Sequence, residues 1–300
     1  MIFTVMFKLQ LELPIDVALV IAEVFPGDLG VQLPEKNGKS GRLELYCRSK
    51  KDALRRRMEL GKYLPDGVFR SAPVFSIRRV KRRDWSEEWK KHFRVRRISK
   101  RLVVKPAWLA YAAKKNERVI EVEPGMSFGT GEHVTTRACL KLLDERQAVL
   151  ARGSFLDVGC GSGILAIAAA KLGFVPVMAF DNDPLAVKAA QANFVRNNVA
   201  GRIACRQADV FRFRSKRKYS VIAANLFSNV LIRAADNLPG LLERRKRAGL
   251  ILSGILARQY PQVAAAFRKR GLKEIKAVRN QDWVTALFEW RCRLASSIPR

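Results

Sequence analysis

Acidic residues are scarce in this chain of 300 residues. Asp and Glu number 27 against 57 Lys and Arg, which leaves a net charge of +30. Such an imbalance is foreign to an ordinary metabolic enzyme. It points to a nucleic-acid-rich or acidic neighbourhood, or to a basic bias shared by the whole proteome. Cysteine is sparse as well: Cys47, Cys139, Cys160, Cys205 and Cys292 are scattered, with no C-x-x-C pair. Neither a disulfide framework nor a zinc site is implied, and a reducing cytoplasm fits. Met1 to Leu13 carries Lys8, Gln10 and Glu12 at alternate positions instead of a basic stretch and a long apolar core. It therefore does not read as a signal peptide. No apolar run is long enough to span a bilayer, so no membrane partner is expected.

What is present is a hydrophobic content of 48%, enough for a packed core, and one stretch around which the chain is organised. Phe155-Leu156-Asp157-Val158-Gly159-Cys160-Gly161-Ser162-Gly163-Ile164-Leu165 reads as a buried strand, a glycine turn and a helix start. Gly159, Gly161 and Gly163 allow a tight turn and a close backbone approach to a ligand. The alanine-rich run from Ala166 to Leu172 suits a helix packed flat on a sheet. Dinucleotide enzymes place a third glycine of G-x-G-x-x-G where this chain has Ile164. A G-x-G-x-G turn after an acidic residue instead suits an S-adenosylmethionine (SAM) methyltransferase.

The chain divides by pattern. In residues 1–75, Phe3 to Leu13 alternates with period two, and Asp16 opens a helix over residues 17–25. Strands at Val31–Leu33 and Arg42–Arg48, a helix from Lys50 towards Leu64, and a strand at Val74–Val80 complete a β-α-β-β-α-β order. That is the ferredoxin-like pattern, a small α+β domain without catalytic chemistry. Residues 76–110 form a basic connector in which Trp85, Trp89 and Phe93 share one helical stripe. The stripe packs on a domain with the charges solvated, or the arginines meet phosphates; both readings are compatible.

Residues 111–300 alternate strands with helices, which gives a doubly wound α/β sheet with its ligand across the carboxyl ends of the strands. A glycine- and threonine-rich loop, Glu123 to Thr136, opens a helix over Arg137–Leu143, with Thr135 or Thr136 supplying the capping hydroxyl. His133, without a partner at ligand spacing, reads as structural. Asp181 ends the second strand of the nucleotide-binding sheet, where a carboxylate accepts the two ribose hydroxyls. Asp183 caps the next helix, Asp209 is placed to reach an adenine, and Asn225 ends a further strand.

Glu123–Thr136, Leu156–Ile164, Phe180–Pro184, Ala224-Asn225-Leu226 and Asp84–Trp89 together resemble the PrmA family, SAM-dependent lysine methyltransferases of ribosomal protein L11. The most specific element is Phe128-Gly129-Thr130-Gly131-x-His133-x-Thr135-Thr136. Val134 stands where the family usually has proline, and Leu226-Phe227 replaces its usual Ile-Leu. The resemblance implies a Rossmann-like class I sheet of seven strands with the last antiparallel. It implies cofactor contacts at Thr136, Gly159, Gly161, Asp181 and Asn225, and a first domain that holds the large-subunit ribosomal protein. Contact with ribosomal RNA would be electrostatic. The reaction would be attack of a neutral lysine amine on the SAM methyl group, with no general base evident and Asn225 orienting ligand or amine. Methylation of RNA, or of lysines on another protein, is the alternative that the charge leaves open.

Overall fold

The computed structural model describes residues 5–14, 18, 29–32, 40–47, 49–61, 75–81, 94–123, 131, 133–150, 153–245, 247–280 and 282–291. The chain separates into two compact units, Met1–His92 and Phe93–Arg300.

In the first unit, β1 (Val5–Pro14), β2 (Leu29–Gln32), β3 (Ser40–Cys47) and β4 (Phe75–Lys81) form one antiparallel sheet in the order β2-β3-β1-β4. The alternation read in the sequence sets its faces. Leu9, Leu11 and Leu13 of β1 and Leu43, Leu45 and Cys47 of β3 are buried together with Ala53 and Leu60 of helix α1 (Lys50–Gly61). Lys8, Gln10 and Glu12 point the other way, and Lys8 and Gln10 meet Glu44 across the ladder. Of the expected helix over residues 17–25, the described residues include Ala18 alone, which is helical and buried.

The second unit opens with a small sheet of β5 (Arg96–Arg97), β6 (Leu102–Pro106) and β7 (Arg118–Val122), where β6 and β7 run parallel. The basic stretch from 76 to 110 is thus divided: β4 ends one sheet, β5 and β6 belong to the second unit, and Trp85, Trp89 and Phe93 lie outside the described residues.

Helix α2 (Val134–Val149) follows, then β8 (Phe155–Val158), α3 (Ile164–Leu172), β9 (Val177–Asp181), α4 (Pro184–Arg196), β10 (Ile203–Gln207) and β11 (Val221–Asn225). The short helices α5 (Ser228–Ala234) and α6 (Leu238–Leu241), then β12 (Gly249–Leu256), α7 (Tyr260–Lys269), β13 (Leu272–Asn280) and β14 (Trp283–Trp290) complete it. The main sheet has seven strands in the order β10-β9-β8-β11-β12-β14-β13, parallel except for β14, which is antiparallel to both neighbours. Both faces are covered, so its central strands are apolar on both sides. Phe155, Val221, Ala223, Ile251 and Leu287 pack under α2 and α3, while Leu156, Val158, Ile222, Leu250 and Phe288 face the layer of α5, α6 and α7. Strand order reverses between β8 and β11, and the crevice at that reversal is where ligands of such sheets bind.

Helix α2 is longer than the expected Arg137–Leu143. It starts earlier because its cap is His133, not a threonine: the ring Nδ1 faces the Thr135 N–H at 3.4 Å. It continues past Leu143 because its charged residues are paired. Asp144 meets Arg101 at 2.7 Å, and the buried Arg146 meets Glu289 at 2.6 Å.

Candidate functional site

The glycine turn is held in the left-handed region that residues with a Cβ rarely adopt: φ is 68° at Gly159, 52° at Gly161 and 78° at Gly163. Two of the three also lack room for a side chain. A Cβ on Gly159 would lie 2.4 Å from Leu226 Cδ2, and one on Gly163 would lie 2.5 Å from the Phe194 ring. The obstacle at both positions is therefore protein packing. The turn is pinned to the neighbouring strand by N–H groups of Gly159 and Cys160 donating to the Phe180 carbonyl at 2.9 and 3.0 Å.

Asp157 is 1% exposed, and its Oδ2 accepts the Ala166 N–H at 2.9 Å. It ties the first turn of α3 to the end of β8. Burial, with a smaller push from Asp181, raises its carboxyl to about 7. Asp181, the last residue of β9, accepts the Gly161 N–H on Oδ2 at 2.9 Å and the Asp183 N–H on Oδ1 at 3.0 Å. These bonds fix the carboxylate at the mouth of the turn and leave about two of its four lone-pair directions open. Asp183 caps α4 by accepting the Leu185 N–H at 2.8 Å. Asp209 is occupied locally, with Oδ1 on the Phe211 N–H at 2.7 Å.

Asn225 lies at the end of β11, across the reversal from the turn. Its Nδ2 faces Thr135 Oγ1 at 3.4 Å, and Thr135 Oγ1 lies 2.7 Å from His133 Nδ1. Read as a donor chain, the amide N–H gives to the hydroxyl and the hydroxyl gives to the ring, which assigns the remaining ring proton to Nε2. Burial, reinforced by Arg137, lowers the His133 pKa, so the neutral ring this chain requires is favoured. The ring stands edge-on to Trp283 at 5.0 Å. Gly254, at φ 77°, completes the surround, since a Cβ there would lie 3.1 Å from Asn225 Oδ1 and 2.7 Å from the Leu226 carbonyl oxygen. Thr136, beside Thr135, is 1% exposed and its hydroxyl has no hydrogen-bond partner among the described residues. A buried hydroxyl left unpaired is costly and wants an explanation.

The expected residues therefore gather at one edge. Gly159, Gly161 and Asp181 form a continuous hydrogen-bonded unit, and Asn225, bonded to Thr135 in the first turn of α2, ends the strand next to β8 across the reversal; Thr136 is the next residue of that same turn. The residues between Pro124 and Thr130 lie outside the described residues. Sequence reading missed the His133–Thr135–Asn225 chain and Gly254; the only available signal for the latter was a glycine inside an apolar strand.

Residues 34–290 match the model of the family described as ribosomal protein L11 methyltransferase (PrmA). The chain belongs to that family. It is 38% identical over 207 residues to the ribosomal protein L11 methyltransferase of Ruminiclostridium cellulolyticum, covering 69% of this chain and 64% of that protein. The corresponding protein of Pelotomaculum thermopropionicum is also 38% identical, over 213 residues, covering 71% of this chain and 68% of the relative. The chain thus spans about two thirds of the length of these PrmA relatives. The crystal structure of a ribosomal protein L11 methylase from Lactobacillus delbrueckii subsp. bulgaricus superposes with a TM-score of 0.60 at 30% identity, covering 66% of this chain and all of that one. The seven-stranded sheet is of the Rossmann-like type that this family's fold carries.

Proposed function

We propose that this PrmA-family chain transfers methyl groups from SAM to lysine amines of ribosomal protein L11. The observation that carries the reading is the meeting, at one edge, of the pinned Asp181 carboxylate, the Gly159–Gly163 turn and Asn225. The unpaired Thr136 hydroxyl fits the same ligand, because it is a buried polar group in need of one. Thr136, Gly159, Gly161, Asp181 and Asn225 would hold the cofactor. When bound, SAM supplies an electrophilic methyl on a sulfonium that is already a good leaving group.

The chain's own residues then orient rather than exchange protons. Asp157 is buried and bonded to Ala166, so it is not a base for an incoming amine. His133 directs its acceptor nitrogen at Thr135. Asn225, with its N–H turned to Thr135, presents Oδ1 as an acceptor that directs the lone pair of a neutral lysine nitrogen. Free lysine has a pKa of about 10.4, so the cleft must favour the neutral amine by partial burial.

The first domain, placed at residues 1–75 by the sequence and carried on by β4 to Lys81, serves as a recognition module for the ribosomal protein, and its strand order β2-β3-β1-β4 fits the ferredoxin-like pattern. Residues 76–110 connect it to the methyl-transferring domain, 111–300, and steer the enzyme electrostatically toward ribosomal RNA in the cytoplasm. Among the described residues, no helix is long and apolar enough to cross a membrane. The test is incubation with methyl-labelled SAM and, in parallel, purified L11 and intact ribosomal particles, followed by mass mapping of protein and RNA. Label on L11 lysines is expected; label on RNA alone, from intact ribosomal particles, would replace the reading with RNA methylation.

A further inference from the structure

The main sheet has two edges of opposite charge. At the carboxyl ends of its strands lie Asp181, the last residue of β9, Asp183 and Asp209 in the segments that follow β9 and β10, and Asp157, buried one residue before the end of β8. The loops by which the chain enters the strands are cationic. Arg212, Arg214, Lys216, Arg217 and Lys218 precede β11, all exposed, with no acid between them. Arg244, Arg245 and Arg247 precede β12, and Lys273 and Arg291 lie at the start of β13 and just past the end of β14, again exposed. The backbone laces these loops together. Tyr219 N–H donates to the Leu241 carbonyl at 2.8 Å, Glu243 N–H to Tyr219 at 2.9 Å, Gly249 N–H to Ser220 at 2.9 Å and Arg291 N–H to Gly271 at 2.9 Å. The Arg244 guanidinium stacks 4.2 Å from the Trp290 ring, whose Nε1 donates to the Glu243 carbonyl at 3.1 Å.

The acids of this edge are already spent inside the protein. Glu243 is held by Arg245 and by the Ser154 and Ser220 hydroxyls, Glu289 by Arg146, and Glu274 by Arg268 and the Tyr260 hydroxyl. Among the described residues, no acid pairs with Arg212, Lys216 or Arg217. Arg247, at φ 69°, is tied back to the fold, its guanidinium donating to the Val149 carbonyl at 3.0 Å and its own carbonyl accepting from Arg146 at 3.2 Å.

We propose that this entry edge of the sheet is a docking surface for the phosphate backbone of RNA. It goes beyond the methyl-transfer reading and does not depend on it. A five-residue strand such as β11 is about 16 Å long. That exceeds the Debye length of about 8–10 Å near physiological salt, so the cationic edge acts independently of the aspartates at the other end. RNA held here leaves the carboxyl-end crevice open, so an enzyme resting on a ribonucleoprotein particle keeps its cofactor site free.

The experiment uses the full chain and a short RNA duplex, with affinity followed by fluorescence anisotropy across a salt series. The variant Arg212→Gln/Lys216→Gln/Arg217→Gln is compared with Lys114→Gln/Lys115→Gln/Lys188→Gln, which removes equal charge from exposed positions elsewhere. The entry-edge variant should bind RNA at least about tenfold more weakly, and its log K against log salt slope should shrink by about 2–3. The control should lose much less, and both variants should methylate free L11 like the native chain. Equal losses in the two variants would overturn the proposal. So would native binding to polyglutamate as tight as to RNA, which would make the edge a surface for acidic protein. Absence of methyl transfer in all three proteins would count against the enzymatic reading alone.

Discussion

Asp181 and Asp157 stand on neighbouring strands and do opposite work. Asp181 keeps open acceptor capacity and faces the crevice, while Asp157 is sealed and bonded to a helix start. Asp181→Ala should weaken SAM binding by about 1.5–3 kcal/mol, the range for losing charge-assisted hydrogen bonds. Calorimetry checks it, and unchanged affinity with the fold intact would remove Asp181 from the site. For Asp157, the folded carboxyl at about 7 lies above its ordinary value of 3.8, so the charged form is the disfavoured one in the folded state. Its stability cost is absent below the unfolded pKa, grows as pH rises from about 4 to about 7, and is constant above. Asp157→Asn keeps an acceptor for Ala166 and cannot ionise. Relative to the native chain it should gain about 2 kcal/mol between pH 5.5 and pH 8, read by urea denaturation at both values. A pH-independent difference would mean that Asp157 titrates normally.

At the scale of elements, the glycine turn is supported from behind by α4. The buried Asn193 donates from Nδ2 to the Ser162 carbonyl at 3.0 Å, inside the turn itself. The buried Asn197 accepts the Glu121 N–H at 2.9 Å and donates to the Glu121 carbonyl at 2.6 Å, so one amide grips the end of β7 as a further strand would. Asn197→Ala strips both partners from those backbone groups and should cost about 1–3 kcal/mol of stability, measured by chemical denaturation. A loss within experimental error would show that water replaces the amide. These clamps explain what the sequence could and could not reveal. The central strands β8, β11 and β12 were legible because each is an apolar run buried on both faces and bounded by turn residues, whereas the edge strands β10 and β13 are largely exposed and were marked mainly by the turns around them. The turn, Asp181 and Asn225 were legible because strand ends position them. The Asn193 and Asn197 amides were not, since an asparagine on an amphipathic helix reads as solvated until the partner strand, some 70 residues away, is known. The extent of α2 was hidden likewise: Asp144 and Arg146 look like an exposed helix end, and only the fold supplies Arg101 and Glu289.

At the scale of the whole molecule, the candidate site and the hydrophobic cores separate by unit. Every residue of the candidate site, from His133 to Gly254, belongs to Phe93–Arg300, and the hydrophobic clusters beneath the seven-stranded sheet draw only on that unit. Met1–His92 has its own cluster between sheet and helix, around Leu9, Leu11, Leu43 and Leu60. A chain beginning at Asp84, which retains Trp85, Trp89 and Phe93, should therefore fold and bind SAM with near-native affinity. It should fail on L11, because recognition by the first unit raises the effective concentration of lysine at the cleft, and without it the encounter is bimolecular. Calorimetry with SAM and single-turnover methylation of L11 separate the two effects. Native methylation by the shortened chain would place recognition in the second unit. Lost SAM binding would instead mean that the two units fold as one.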